Sequence, residues 1–439
     1  MKLSKYSRII PYNDDEVILY DTICHSVVTL PANYVNHSEL SDDCDEDTVA
    51  VLKEMGHFVS EQDVSAKIID YVINSEKLFI SIELNLNCNL RCPYCYQAGT
   101  RSSELIKIET LDLLMSYFKR VYCEKSFKEL DIKILGGEPT LAWDRFMYIY
   151  EKARCFCLEK NIKFCVLIDT NGTNIDGILE LKGYSSLLLT VPLTQKGCHD
   201  SVRFNANGNG TYDDIICNLN TLYLSGKNIK VVLRYNVDAN NINCFEEYLS
   251  DLRNSLKFVP LISVNYTAEL NGGTEFANKL TYADFVKWSS TNAIDLLISA
   301  ELPITISPNI SIEECQFRSK YSLKVFSDDT AGSCAMSYFD DKRETIKEVL
   351  EQFNETGFFW KAKAKQTLLS DQKCMICCSL FLCGGTKKLP CIQALDDSPC
   401  ERDGKHSILL DEFLKRYVYY QNEGKGNLFV VFENGESFR

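Results

Sequence analysis

Three cysteines in the run Cys88-Asn-Leu-Arg-Cys92-Pro-Tyr-Cys95-Tyr96 have the type and spacing to bring three thiolates to one corner of a metal centre. A four-iron cubane cluster is ordinarily held by four cysteine thiolates. Three from one compact loop leave one iron without a protein ligand, and that open iron is a place for chemistry. Short cysteine spacings also suit a tetrahedral structural zinc.

The elements that must position this loop are legible on either side of it. Residues 78–86 alternate and are rich in branched side chains, which predicts a strand feeding the loop from its carboxyl end. A second strand is expected over 129–135, closing in Gly136-Gly137-Glu138-Pro139, where paired glycines let backbone come close to a ligand. Strand, three-cysteine loop, helical pattern, strand and GGEP together resemble the radical S-adenosylmethionine (SAM) enzymes. The resemblance implies that SAM chelates the open iron of a 4Fe-4S cluster through its amino and carboxylate groups. It also implies that Gly136, Gly137 and Glu138 contact the methionine end and that Tyr94 belongs to the cofactor site. A zinc centre has no need of the GGEP strand.

The chain of 439 residues is long enough for about two to four domains. A hydrophobic content of 45% and a charged content of 25% are ordinary for a soluble globular protein. The net charge of −14 excludes a general nucleic-acid binder, which needs a basic footprint. Lys2, Lys5 and Arg8 are followed by no apolar run, so no secretory signal is expected, and residues 186–192 are too short to span a bilayer. With those features, 20 cysteines point to a reducing, oxygen-poor cytoplasm and to metal binding rather than a disulfide framework.

Residues 1–77 are expected to form an α+β extension. Strands are predicted over 8–11 and 16–30 around a turn at 13–15, with helices over 47–55 and 65–73. This pattern resembles the amino-terminal extensions of radical SAM enzymes that modify ribosomally made peptides, where such units engage the substrate's leader; a packing cap is the other reading. Over 78–305, strands at 78–86, 129–135, 162–170, 186–192, 229–237 and 259–266 alternate with helices at 110–122, 144–160, 174–181, 212–226, 243–255 and 282–300. Such alternation implies a parallel sheet with right-handed crossovers, here a partial (β/α)6 TIM barrel within an α/β fold. Parallel α/β folds gather ligands at the carboxyl ends of their strands.

Two further stretches carry the resemblance. Asp169-Thr-Asn171-Gly172-Thr173 looks like the family's TNG turn, and His199-Asp200 followed by Arg203 matches an HD..R element whose arginine would pair with the cofactor carboxylate. An arginine fork suits a carboxylate because two hydrogen bonds form at once. Asn171 as a turn former and Arg203 in a surface ion pair are the alternatives. Thr190-Val-Pro-Leu193-Thr194 stands where many members have a serine-rich turn.

Beyond the barrel, Cys315, Cys334, Cys374, Cys377, Cys383, Cys391 and Cys400 form an ordered series, with a strand pair expected around 326–330. The series resembles the SPASM domain, which carries auxiliary iron-sulfur clusters, and places such a domain over 306–405. By that resemblance Cys374, Cys377, Cys383 and Cys400 hold one 4Fe-4S cluster, and Cys315, Cys334 and Cys391 hold a second. Two cubanes ask for eight thiolates, so one auxiliary iron is left for Cys378 or a substrate thiolate. The tail, 406–439, is expected to pack on the barrel with a helix near 409–420 and a strand near 427–433.

The resemblance implies a radical SAM peptide maturase that oxidatively modifies a ribosomally made precursor peptide, foremost by thioether cross-linking. Its electrons would come from an external flavodoxin or ferredoxin, with no nucleic-acid or membrane partner. Anaerobic sulfatase maturation, forming formylglycine, is the rival within this chemistry. Those enzymes carry an acidic base after the cysteine corresponding to Cys334, where this chain has Ala335, and they begin close to their cluster loop. An iron-sulfur redox sensor or electron-transfer protein is the reading from another class.

Overall fold

The computed structural model describes residues 1–24, 26–58, 76–267, 280–304, 316, 319–333, 342–354, 356–364 and 405–429. Two compact units share the chain: Met1–Ser75 with Ile306–Lys320 and Ala362–Val431, and Glu76–Thr305 with Tyr321–Lys361 and Phe432–Arg439.

In the first unit β1 (Ser7–Pro11), β2 (Glu16–Asp21) and β3 (Val27–Pro31) form an antiparallel sheet in that order. The single strand expected over 16–30 is two. The Asp21 carboxylate accepts backbone N–H groups from Ile23 at 2.9 Å and Cys24 at 3.1 Å, which turns the chain where alternation alone reads straight on. A short pair, β4 (Val35–Asn36) and β5 (Glu39–Leu40), leads to the helix Glu46–Glu54, capped by Asp45. Leu3, Leu19, Leu30, Leu40 and Leu52 make the core. The helix expected over 65–73 lies outside the described residues. The helix Lys405–Asn422 groups with this unit, where Asp411 pairs with Arg8 at 2.7 Å. Of the strand expected over 427–433, Gly426–Leu428 is a 3-10 turn and 430–433 lie outside the described residues.

The second unit is built on β6 (Lys77–Glu83), β7 (Glu129–Leu135), β8 (Lys163–Asp169), β9 (Ser186–Pro192), β10 (Lys230–Val237) and β11 (Leu261–Tyr266), parallel and adjacent in chain order. Strand period and helix period agree on one core. Leu130, Ile132 and Ile134 of β7 are buried on one face. The helices Ile108–Lys125 and Trp143–Lys160 bury Leu111, Leu114, Phe118, Phe146, Ile149 and Ala153 at helical spacing. The opposite faces of β7 and its neighbours are polar: Lys77 pairs with Asp131 at 2.6 Å and Lys133 with Asp169 at 2.8 Å, within a partial (β/α)6 barrel.

The sheet runs further than the six expected strands. β12 (Leu323–Val325) pairs parallel to β6, and β13 (Thr330–Gly332) and β14 (Glu344–Thr345) follow antiparallel. Residues 321–361, expected in the cysteine-rich extension, therefore belong with the barrel. Lys324 on β12 is wholly buried and meets the equally buried Glu83 of β6 at 3.1 Å. Gln97 and Ser327 complete the carboxylate's hydrogen bonds. The single helix expected over 282–300 breaks into Tyr282–Ser290 and Asn292–Ser299 at Thr291, whose backbone leaves the helical region at φ −127° and ψ −87°.

Candidate cofactor site

The loop after β6 is zipped to the turn after β7. Gly137 N–H donates to the Asn85 carbonyl at 2.9 Å, Glu138 N–H to the Asn87 carbonyl at 2.7 Å, and the Asn85 amide to the Glu138 carbonyl at 3.1 Å. A Cβ on Gly136 would stand 2.6 Å from the Asn85 oxygen, and one on Gly137 2.3 Å from the Asn87 oxygen. Any larger residue would push the cysteine loop away.

Glu138 is buried and its carboxylate is fully engaged within the protein. One oxygen accepts from the Thr170 hydroxyl at 2.7 Å and from the Thr140 N–H and hydroxyl at 3.1 and 2.8 Å; the other accepts the Asn171 N–H at 2.7 Å. This carboxylate ties the end of β7 to the end of β8, so contact with a ligand from this turn falls to its backbone.

Cys92 is buried, Cys88 and Cys95 are half-buried, and all three thiols are free of disulfides. Asn171 reaches over them: its amide donates to Asn89 at 2.7 Å and lies 4.0 Å from the Cys88 sulfur. Its oxygen accepts the Thr173 N–H at 2.9 Å, so it shapes the turn and holds the loop at once. Arg91 N–H donates to the Phe204 carbonyl at 2.9 Å, which brings the segment after β9 to the same mouth.

Burial pushes all three thiols up in pKa, against the pull of the Arg101 charge on each and of the Arg203 charge on Cys92 and Cys95. Arg101 Nη1 and Arg203 Nε are buried without a hydrogen-bond partner. Three thiols, two cations with orphaned donors, and backbone held open by glycines fit a thiolate-bound cluster carrying an anionic ligand.

Arg203 is buried and donates to the Tyr94 hydroxyl at 2.9 Å, which rules out the surface ion pair. Its helix, Lys196–Val202, was absent from the expected elements. The histidine and aspartate of the HD..R element hold that arginine in place rather than face the mouth. The Thr211 hydroxyl donates to the Arg203 carbonyl at 2.9 Å, so at 3.2 Å His199 Nε2 must be the donor to Thr211. Asp200 accepts the Thr211 and Tyr212 N–H groups at 2.8 and 3.0 Å. Thr211 is a site residue the sequence reading missed, since nothing in local spacing links it to Arg203. Thr194, after β9, is buried with its hydroxyl unpartnered, in the stretch that departs from the serine-rich turn.

Burial, aided by the Arg203 charge, lowers the His199 pKa from 6.5 to about 2. The unfolded chain therefore binds the proton that the folded chain refuses. Stability from this residue is complete above about pH 6.5 and is lost at roughly 1.4 kcal/mol per pH unit as pH falls below it. In His199→Gln, the slope of unfolding free energy between about pH 6 and pH 4.5 should be shallower by about that amount. Tryptophan fluorescence in urea suits the measurement, because all 3 tryptophans lie in the barrel unit. Equal slopes would show that the folded ring takes up the proton.

The auxiliary cysteines Cys315, Cys334, Cys374, Cys377, Cys383, Cys391 and Cys400 lie outside the described residues. No helix among the described residues is long and apolar enough to cross a membrane.

The radical SAM superfamily profile matches residues 82–252. A cysteine-type anaerobic sulfatase-maturating enzyme of Clostridium novyi (strain NT) is 28% identical over 187 residues, 40% of this chain and 49% of that protein. The chain thus spans about half the length of the curated relative it matches. Among solved structures, native anSMEcpe with bound AdoMet and Kp18Cys peptide superposes with a TM-score of 0.59 at 19% identity, covering 79% of this chain and 99% of the other. Streptococcus suis SuiB bound to precursor peptide SuiA gives a TM-score of 0.49 at 17% identity, covering 88% and 94%.

Proposed function

We propose that this chain, whose residues 82–252 are a radical SAM domain, oxidatively modifies a ribosomally made peptide, foremost by joining a cysteine sulfur to carbon. The radical SAM family binds a 4Fe-4S cluster and SAM. Here Cys88, Cys92 and Cys95 would hold the cluster, and Tyr94, Gly136, Gly137, Glu138, Asn171 and Arg203 would surround the sulfonium ligand. When bound, the two supply a carbon-centred radical able to take hydrogen from an unactivated C–H bond. The chain's own residues orient and shield. Arg203, held by His199 through Thr211, offers a fixed cation to a carboxylate, and Glu138 and Asn171 keep the cysteine loop in register with β7 and β8.

The observation that carries the reading is the meeting of three free thiols with half-buried Arg101 and buried Arg203, each with an unpartnered buried donor, at the carboxyl ends of a parallel barrel. A peptide substrate is supported by the unit preceding the loop, whose outer strands β1 and β3 offer an edge to an extended leader. The relative named for sulfatase maturation and the solved relative holding a Kp18Cys peptide support a cysteine in that substrate. The auxiliary clusters would be bound by Cys374, Cys377, Cys383 and Cys400, and by Cys315, Cys334 and Cys391, with a flavodoxin or ferredoxin as electron donor. Formylglycine formation is the second reading, favoured by the curated relative's name and opposed by Ala335.

Anaerobic reconstitution, strong reductant and SAM should release 5′-deoxyadenosine. Cysteine-bearing peptides from neighbouring short reading frames should then lose two hydrogens and keep their sulfur. Loss of the cysteine sulfur would favour formylglycine formation. An absence of 5′-deoxyadenosine from a fully iron-loaded protein would favour the redox-sensor class.

A further inference from the structure

Cys198 lies on the helix Lys196–Val202 that presents Arg203, and Cys244 closes the 3-10 turn Ile242–Cys244 after β10. Though 46 residues apart in sequence, their sulfurs are 3.7 Å apart, in van der Waals contact, and both are half-buried. A disulfide needs about 2.05 Å, which side-chain rotation and a small approach of two surface segments supply. The same two segments are already joined by Gln195, whose amide donates to Glu247 at 3.1 Å. Neither cysteine belongs to the cluster loop or to the ordered carboxyl-terminal series, and neither has a part in the proposed chemistry.

We propose that Cys198 and Cys244 are a thiol–disulfide couple, a modification site for a low-molecular-weight disulfide such as glutathione disulfide. One cysteine attacks a glutathione sulfur, the glutathione S–S bond breaks, and one glutathione leaves as a thiol. The second cysteine then attacks the mixed disulfide, forming the Cys198–Cys244 bond and releasing the second glutathione. The two protein thiols lose two electrons and two protons, and both pass to the two glutathione thiols. Burial pushes the Cys198 thiol up in pKa, and contact with Cys244 and the nearby Asp238 and Glu247 carboxylates add to it. Either sulfur can make the first attack, the other then resolving the mixed disulfide. Once formed, the bond staples the helix bearing Arg203 to the turn after β10, whose strand supplies Asn236, a hydrogen-bond partner of Tyr94.

Holoprotein is incubated without oxygen in glutathione disulfide, blocked with N-ethylmaleimide, and digested with trypsin without reduction. Peptides 197–203 and 235–253 each contain one cysteine. They should appear joined, rising from undetectable to the major form as the disulfide-to-thiol ratio rises, and separate again with dithiothreitol. Cys198→Ser should instead trap glutathione on Cys244. The proposal is overturned if the two peptides stay unlinked while the exposed Cys123 is glutathionylated in the same sample, or if they join equally well to other cysteines. This readout needs no turnover, so it stands or falls separately from the peptide-modifying reading.

Discussion

Cys92→Ala, reconstituted anaerobically, is expected to bind about four fewer irons per chain than the parent, because two thiolates from one loop do not retain a cubane that three hold with one iron open. Release of 5′-deoxyadenosine should fall at least about 1,000-fold, a modest share of the million-fold or greater acceleration that enzymes typically achieve. The fold should survive. The loop's backbone is held by bonds that do not use the thiol: Arg91 to Phe204, Gly137 to Asn85 and Glu138 to Asn87. Cys123→Ala, an exposed cysteine outside every motif, is the matched control and should change neither quantity. Iron content and cleavage that persist in Cys92→Ala would remove the centre on which the proposed activity rests.

Lys324→Met should destabilise the barrel unit by about 3–5 kcal/mol, the cost of leaving a buried charge without its partner. Glu83 is about 1% exposed, and its carboxylate would keep only neutral donors from Gln97 and Ser327. The double variant Glu83→Gln with Lys324→Met should recover most of that loss, since replacing both members of a buried pair is far cheaper than removing one. Urea unfolding followed by tryptophan fluorescence decides it. A loss below about 1 kcal/mol in Lys324→Met, or a double variant no better than the single, would mean that water or another group already compensates Glu83. Lys324 and Glu83 also tie the hairpin after the barrel to it: the charge buried on β12 meets the opposite charge on β6.

Much of the barrel could be read from one chain because its signals are local. The expected strands over 129–135 and 186–192 coincide with β7 and β9, and the remaining parallel strands differ by a few residues at their ends. The turn after Asp21 depends on one side chain bonding nearby backbone, which periodicity does not register. The placement of the helix Lys405–Asn422 with the amino-terminal segment rests on partners hundreds of residues away, such as Arg8 for Asp411.

What the chain's order of residues determined by itself is the chemistry: three thiols at a spacing that suits one metal cluster, a glycine pair where backbone must come close, and an arginine able to meet a carboxylate. Residue type and short spacing are enough for that, since thiolate ligation and glycine's missing Cβ are properties of the residues themselves. Tertiary structure alone decided the division of labour among those motifs. It turned the Glu138 carboxylate inward as a tie between β7 and β8, made His199 a neutral strut for Arg203 through Thr211, and set Cys198 against Cys244. The physical reason is that burial, hydrogen-bond satisfaction and the approach of remote side chains are settled by packing, which no local pattern encodes.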